Sequence, residues 1–367
     1  MFLNDLVNYD GYLKQLLLNC ANADSEESVL LCLEELSNRE ITGILVSQEG
    51  MPLWNEWTEF VYHAIALSNY SPSLGVLYVM RSVTTWMLAY RGSEKAKRMY
   101  LQGMRKGEIK GSFAIHDENG SRVTVKNIDG QDIICGRKNF VTGVHSADLL
   151  IVQITGGDGN KNIYLVPVDA PGVHIEQETW KGMGLKSQDS CSVTFESVKI
   201  EDYMIMNHVP SGLTRRSKSY GFSIHSLGFA SVAVGTAMQL VRMTYEFSGK
   251  RGDSFSTQNS RILGDMTVLL DCALALVEKA ATHIALDSSD CVLLCEESRI
   301  AAVKTAVDIS DMCLHIGGSH FYSNCDMFHR LYNDVRGLTL LGPRASFTSS
   351  RLGKHYVQST IPKSAKQ

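Results

Sequence analysis

No stretch of this chain is apolar for long enough to cross a bilayer, which takes about 20 consecutive residues in a helix. The opening residues, Met1 to Asp10, have neither a charged segment followed by an apolar core nor an Arg-rich presequence. Positive charge is not in excess, with 35 Lys and Arg against 39 Asp and Glu and a formal net charge of −4. No basic patch interleaved with aromatics occurs either, so no nucleic-acid partner is expected. The nine cysteines are odd in number and lack the spacing of a disulfide framework. Cys291 and Cys295 stand one helical turn apart, but no histidine or second cysteine pair completes a zinc site, and no metal is expected. These features predict reduced core thiols, no membrane partner and a cytoplasmic location.

What remains is a folded protein, 44% hydrophobic and 20% charged, whose 367 residues exceed one ordinary core. Its centre is Gly136-Arg-Lys-Asn-Phe-Val-Thr-Gly143, followed by a β-branched run to Ile154 that reads as a buried strand. On the first strand Phe140 and Thr142 share a side at i, i+2. A flat aromatic beside a hydroxyl suits a planar cofactor, although two ordinary strand residues would look the same.

Residues 1–110 read as helical. Ser25 is poised as an N-cap before an apolar-periodic run to Leu36, and Ser71-Pro-Ser73 opens a helix from Leu74 to Tyr90 that is apolar nearly all round. Ser93 begins a shorter helix with acid in its first turn. Residues 111–207 are short strands with turn punctuation, which predicts a β-barrel or sandwich. Helical periodicity returns in residues 208–367, with long segments at about 221–247, 261–286 and 292–315, the pattern of a four-helix bundle. The fold class expected is α+β multidomain: a helical domain, a middle β-barrel domain and a carboxy-terminal bundle.

This order resembles that of the acyl-CoA dehydrogenase superfamily, and local motifs agree. Gly92-Ser-Glu with the segment to Gly107-Glu108 resembles the lead into the barrel, and Phe113-Ala-Ile-His-Asp-Glu-Asn-Gly-Ser121 resembles a shortened Phe-Ala-x-Thr-Glu-Pro-Gly-x-Gly-Ser loop. Lys138-Asn-Phe-Val-Thr-Gly143 is similar to Lys-x-Trp-Ile-Thr-Asn, and Met183-Gly184 through Ile200 to the closing barrel strands. Gly235 and Arg251 keep the spacing of a helix glycine and a cofactor arginine. Ile316-Gly-Gly318 resembles the Gly-Gly-x-Gly turn, and Tyr332-Asn-Asp-Val335 stands where the family has Arg-Asp-Ala.

The resemblance implies FAD held by Phe113, Ile115, Phe140, Thr142, Arg251, Phe255, Gly317 and Gly318. In it the aromatic at Phe140 packs on the flavin, the hydroxyl at Thr142 bonds flavin N5, and Arg251 with the two glycines holds pyrophosphate. It assigns Ser121, Leu341 and Gly342 to substrate. It also implies a homodimer or homotetramer, because a neighbour's bundle completes the flavin site.

Two features depart from the pattern. The usual catalytic Glu falls on Gly342, which cannot accept a proton, and the alternative Glu position on the bundle helix is His225, a candidate base. The segment after Arg251 is short, and the third glycine after Gly318 is absent. Three readings stay open. The first is α,β-desaturation of an acyl thioester on coenzyme A or a carrier protein, with a non-Glu base. The second is a flavin-dependent monooxygenase served by a separate flavin reductase. The third is a non-catalytic relative.

Overall fold

The structure, a computed structural model, describes residues 9–23, 25–117, 122–157, 159–177, 181–206, 220–251 and 257–360, without the side chains of 23, 220–224, 251 and 360. Four helices come first: α1 (Gly11–Ala23), α2 (Glu26–Asn38), α3 (Trp57–Ser68) and α4 (Pro72–Arg91). Their starts are set by serine. Ser25 accepts from the Ser28 N–H and Ser71 from the Leu74 N–H, each satisfying an amide the helix cannot, and Pro72 pre-sets the first turn of α4. The apolar sequence of α4 is explained by its burial, which extends over every residue from Pro72 to Tyr90. Against its Trp86, Trp54 and Trp57 pack edge to face, with ring centroids 5.4 Å (Trp54–Trp86) and 5.5 Å (Trp57–Trp86) apart. Ser93, accepting from the Ala96 N–H, opens α5 (Glu94–Ala96), which continues through a π turn into α6 (Gln102–Arg105).

The strands are β1 (Gly111–Ala114), β2 (His116–Asp117), β3 (Thr124–Ile128), β4 (Gln131–Thr142), β5 (Leu149–Thr155), β6 (Lys161–Pro167), β7 (Val173–Ile175) and β8 (Ser190–Lys199). They pair as two sheets, β1-β5-β6 and β2-β4-β8-β7 with β3 on β4, rather than as one closed barrel. Asn127–Gly130 is the end of β3 plus a tight hairpin turn, in which Asp129 and Gly130 both take positive φ (51° and 82°). The apolar run of β5, interrupted only by Gln153 before its last two residues, reflects burial of both its faces. Leu149 and Ile151 face the helices, while Leu150, Val152 and Ile154 fill the space between the sheets with Val166, Val193 and Phe195.

The chain then returns to helices: α7 (Tyr220–Arg251), α8 (Thr257–Ala285), α9 (Cys291–Ser323), α10 (Asp326–Leu338) and α11 (Ala345–Thr360). Helix α7 is central, packing on α3, α4, α8, α9 and α10. Its buried Ser231, Thr236 and Thr244 hydroxyls donate to carbonyls four residues back, at 2.8 Å each. Gly235 lets α7 touch α3, since a Cβ there would fall 2.3 Å from the Ile65 carbonyl oxygen. The third long helix breaks at Gly317-Gly318, as the sequence suggests: within α9 Gly318 takes a non-helical conformation (φ 50°, ψ −135°), and a second helical stretch follows to Ser323. Among the described residues no helix is long and apolar enough to cross a membrane.

Candidate functional site

A cavity of about 700 Å³ opens where β1, β4 and the loop before β8 meet α7 and the segment after α10. Strands contribute Phe113, Phe140, Thr142, Gln153 and Lys161; Ile115 and His116 follow β1; and the pre-β8 loop gives Leu185 and Gln188. The far wall is His225, Ser226 and Phe229 of α7 with Thr339 to Arg344. Its size is that of small-molecule sites.

Backbone irregularity shapes the cavity floor. Between Lys138 and Val141, β4 carries one more residue than its partner β8, and the bulge holds Phe140 at φ 59° with its side chain 60% exposed. Phe140 and Thr142 both reach the cavity, but through this bulge rather than through simple i, i+2 alternation. The Thr142 hydroxyl lies 3.0 Å from that of Ser190, and the Thr142 carbonyl accepts from Ser112.

Lys138 holds the floor together. Its fully buried ammonium donates to the Ile115 carbonyl at 2.9 Å, the Gln153 carbonyl at 2.5 Å and Asp117 Oδ1 at 2.7 Å. Burial drives its pKa below the ordinary lysine value, and Asp117 opposes that shift. Two lining residues, Ile115 and Gln153, are thereby fixed to the strand that carries Phe140.

The pre-β8 loop is held from two directions. On one side Asp334 of α10 accepts the Leu185 N–H at 2.5 Å. Gly184 lies so close to α10 that a Cβ would fall 2.2 Å from the Asn333 carbonyl oxygen. On the other side Asp189 accepts the His145 N–H at 2.9 Å and contacts the ring at Nδ1, while Nε2 lies 3.1 Å from the Glu176 carbonyl oxygen. The ring is thus held at both nitrogens by oxygen atoms. Burial alone would lower the His145 pKa, but the Asp189 hydrogen bond and charge outweigh it and the pKa is raised. Cys191 Sγ lies 3.9 Å from the same Nδ1, which gives the group the composition of a metal centre. Burial pushes that thiol up to about 11.

His225 is 5% exposed, with its ring edge-on to Phe113 (centroids 4.0 Å) and nearly parallel to Phe229 (6.2 Å). Gly342 lines the cavity with φ 78°, and its missing Cβ would meet Arg299 Cδ and Nε at 3.4 Å.

The structure thus brings together Phe113, Ile115, Phe140, Thr142, His225, Leu341 and Gly342 of the residues expected from sequence. Gly317 and Gly318 are not in this cavity. They lie at the α9 kink, where a Cβ on Gly317 would strike the Phe321 ring at 2.1 Å. Arg251 ends α7, and its side chain, like Ser121 and Phe255, falls outside the described residues. Sequence reading missed Gln153, Lys161, Leu185, Gln188, Ser226 and Arg344; Leu185 and Gln188 stand within the stretch matched to the closing barrel strands but carried no assigned role, and the others are residues of ordinary type. A planar heterocycle fits what is present. Phe140 is 60% exposed at the cavity, and Gln188 Oε1, sealed within the lining, finds no hydrogen-bond partner among the described residues.

Comparison with known proteins identifies the fold family. The model of the acyl-CoA dehydrogenase middle domain matches residues 115–198, and that of the acyl-CoA dehydrogenase C-terminal domain matches residues 220–342. The chain is 26% identical over 268 residues to a 3-(aryl)acrylate reductase of Clostridium sporogenes, covering 68% of this chain and 69% of that protein. It is 23% identical over 246 residues to a probable FMNH2-dependent monooxygenase of Pseudomonas putida, covering 61% and 62%. The solved structure of butyryl-CoA dehydrogenase from Megasphaera elsdenii superposes with a TM-score of 0.82 at 17% identity, over 96% of this chain and 99% of that one. Motifs, fold and matched domains together place the chain in the acyl-CoA dehydrogenase superfamily, to which it belongs.

Proposed function

We propose that this chain is an FAD-dependent oxidoreductase that desaturates an acyl thioester, with His225 as the base. The observation that carries the reading is the convergence of His225, Phe140 and Thr142 on one cavity. Phe140 and Thr142 would hold the flavin ring, and Arg251, with Gly317 and Gly318 of a second copy, its pyrophosphate. Bound flavin supplies a two-electron acceptor. The chain's own part is to orient the acyl group between Leu341 and α7 and to take the α-proton on a His225 ring nitrogen, which only the neutral imidazole can do. Lys161 and Arg344, the two cations of the lining, suit the phosphates of coenzyme A or a carrier's pantetheine arm. A homodimer or homotetramer follows from the shared pyrophosphate site.

A second reading, a two-component flavin-dependent monooxygenase fed by a reductase, is favoured by Gly342. The segment that would present a carboxylate is instead turned against Arg299, and oxygen transfer needs no α-proton removed. The two are separated by following the visible spectrum of the FAD-loaded protein without oxygen. A desaturase bleaches with a fitting acyl-CoA, and His225→Ala slows bleaching by about 10²–10⁴-fold with flavin binding unchanged. Failure of every acyl thioester to bleach it, together with turnover that requires NADH, a flavin reductase and oxygen, replaces the first reading with the second.

A further inference from the structure

Arg299 of α9 is 1% exposed and stands behind the cavity wall rather than in it. Its guanidinium donates to the carbonyls of Leu341 at 3.2 Å and Pro343 at 2.7 Å, which bracket Gly342, and to the Thr348 hydroxyl at 3.3 Å in the first turn of α11. Among the described residues no carboxylate accepts from it. The acid one turn back, Glu296, is paired with Arg351 of α11, and neighbouring Glu297 takes the Tyr356 hydroxyl. A cation this deeply buried persists only where fixed dipoles replace water around it. Here two carbonyls spaced two residues apart do so. Converging them on one fork bends the intervening residue into a left-handed turn, as the φ of 78° at Gly342 records. A Cβ at this position would rest against the Arg299 side chain, 3.4 Å from its Cδ and Nε.

We propose that Arg299 is a positioning residue of the cavity: it fixes the Leu341–Pro343 wall and locks that wall to α11. The site's shape on this side is therefore set by a residue that touches no ligand. The inference depends on the cavity being the flavin site in only one of its two experimental arms, and neither arm contains a thioester, so failure of the desaturase reading leaves it standing.

The first arm is hydrogen exchange of the full-length apoprotein. In Arg299→Met, amides of residues 340–344 should exchange about tenfold or more faster, while the middle of α9 stays protected. Thr348→Val should loosen α11 alone. The second arm is titration with FAD, whose affinity should fall about tenfold, the scale of one charge-assisted hydrogen bond, with a changed visible band. A folded Arg299→Met with unaltered exchange at 340–344 overturns the proposal, as does faster exchange with FAD affinity and spectrum both unchanged. Should Arg299→Met not fold, Arg299→Lys carries the same test, because an ammonium keeps the charge but cannot bridge two carbonyls in fixed geometry.

Discussion

The carboxylate of Asp334, buried in α10, accepts the main-chain N–H of Leu185 at 2.5 Å and so ties a helix of the bundle to the loop that enters β8. Leu185 lines the cavity at φ 53°, a strained conformation for a branched residue, and needs that tie to persist. Asp334→Ala should lower unfolding free energy by about 1–3 kcal/mol, the cost of a buried donor left unmet. It should also weaken flavin binding, because Leu185 would relax. Urea denaturation and a flavin titration read the two effects. Loss of stability with unchanged flavin affinity would separate the loop from the site.

Gly342→Glu reverses an expectation. On sequence grounds this change restores the family's base and should raise desaturation of simple acyl thioesters. In the structure its Cβ starts 3.4 Å from Arg299 Nε, so the new carboxylate is placed to pair with that guanidinium instead. The left-handed backbone adds a strain of about 1 kcal/mol. The expected outcome is no gain in anaerobic flavin bleaching, and a measurable gain would show that the side chain reaches the cavity after all.

Lys138→Met should cost about 2–3 kcal/mol, somewhat below the 3–5 of a fully buried pair because Asp117 keeps part of its hydration. The Ile115 and Gln153 carbonyls lose their common donor, so the cavity floor should loosen as well. Chemical denaturation of Lys138→Met and Lys138→Arg checks this. A planar fork does not fit three acceptors arranged around a point charge, so the Arg variant should fail to rescue.

Acid should destabilise the protein through His63. Burial holds its pKa down at about 4, and its Nδ1 lies 2.7 Å from the Tyr9 hydroxyl. The unfolded chain takes up a proton near pH 6.5 that the folded protein refuses until about 4. The stability due to neutral His63 is therefore complete above pH 6.5 and lost progressively as pH falls to 4, by about 3 kcal/mol in all. His63→Phe should be less stable at pH 7, yet lose less between pH 7 and 5. Equal pH slopes for the two proteins would assign the acid loss to other groups.

The helices were legible because their signals are local. Ser25, Ser71 and Ser93 cap where their side chains can reach an amide three residues on, and apolar spacing does the rest. The two-sheet arrangement was not, because strand spacing predicts strands but not which pairs close. Phe140, Thr142 and His225 were found by resemblance to motifs, and the structure brings them to one cavity. The bulge at Phe140 was hidden, since no glycine marks its positive φ. Arg299 was invisible for a different reason: an arginine on a helix reads as solvated charge until the carbonyls of residues 341 and 343, over forty positions away, are seen to converge on it.

Trp54, Trp57 and Trp86, three of the chain's four tryptophans, share one edge-to-face cluster among the leading helices. Indole emission is for this protein a local gauge, whereas far-ultraviolet ellipticity is dominated by α7, α8 and α9. If the two optical signals trace different melting curves, the leading helices and the bundle come apart in separate steps. If the curves superimpose, the close approach of Gly235 to Ile65 has made them a single cooperative unit.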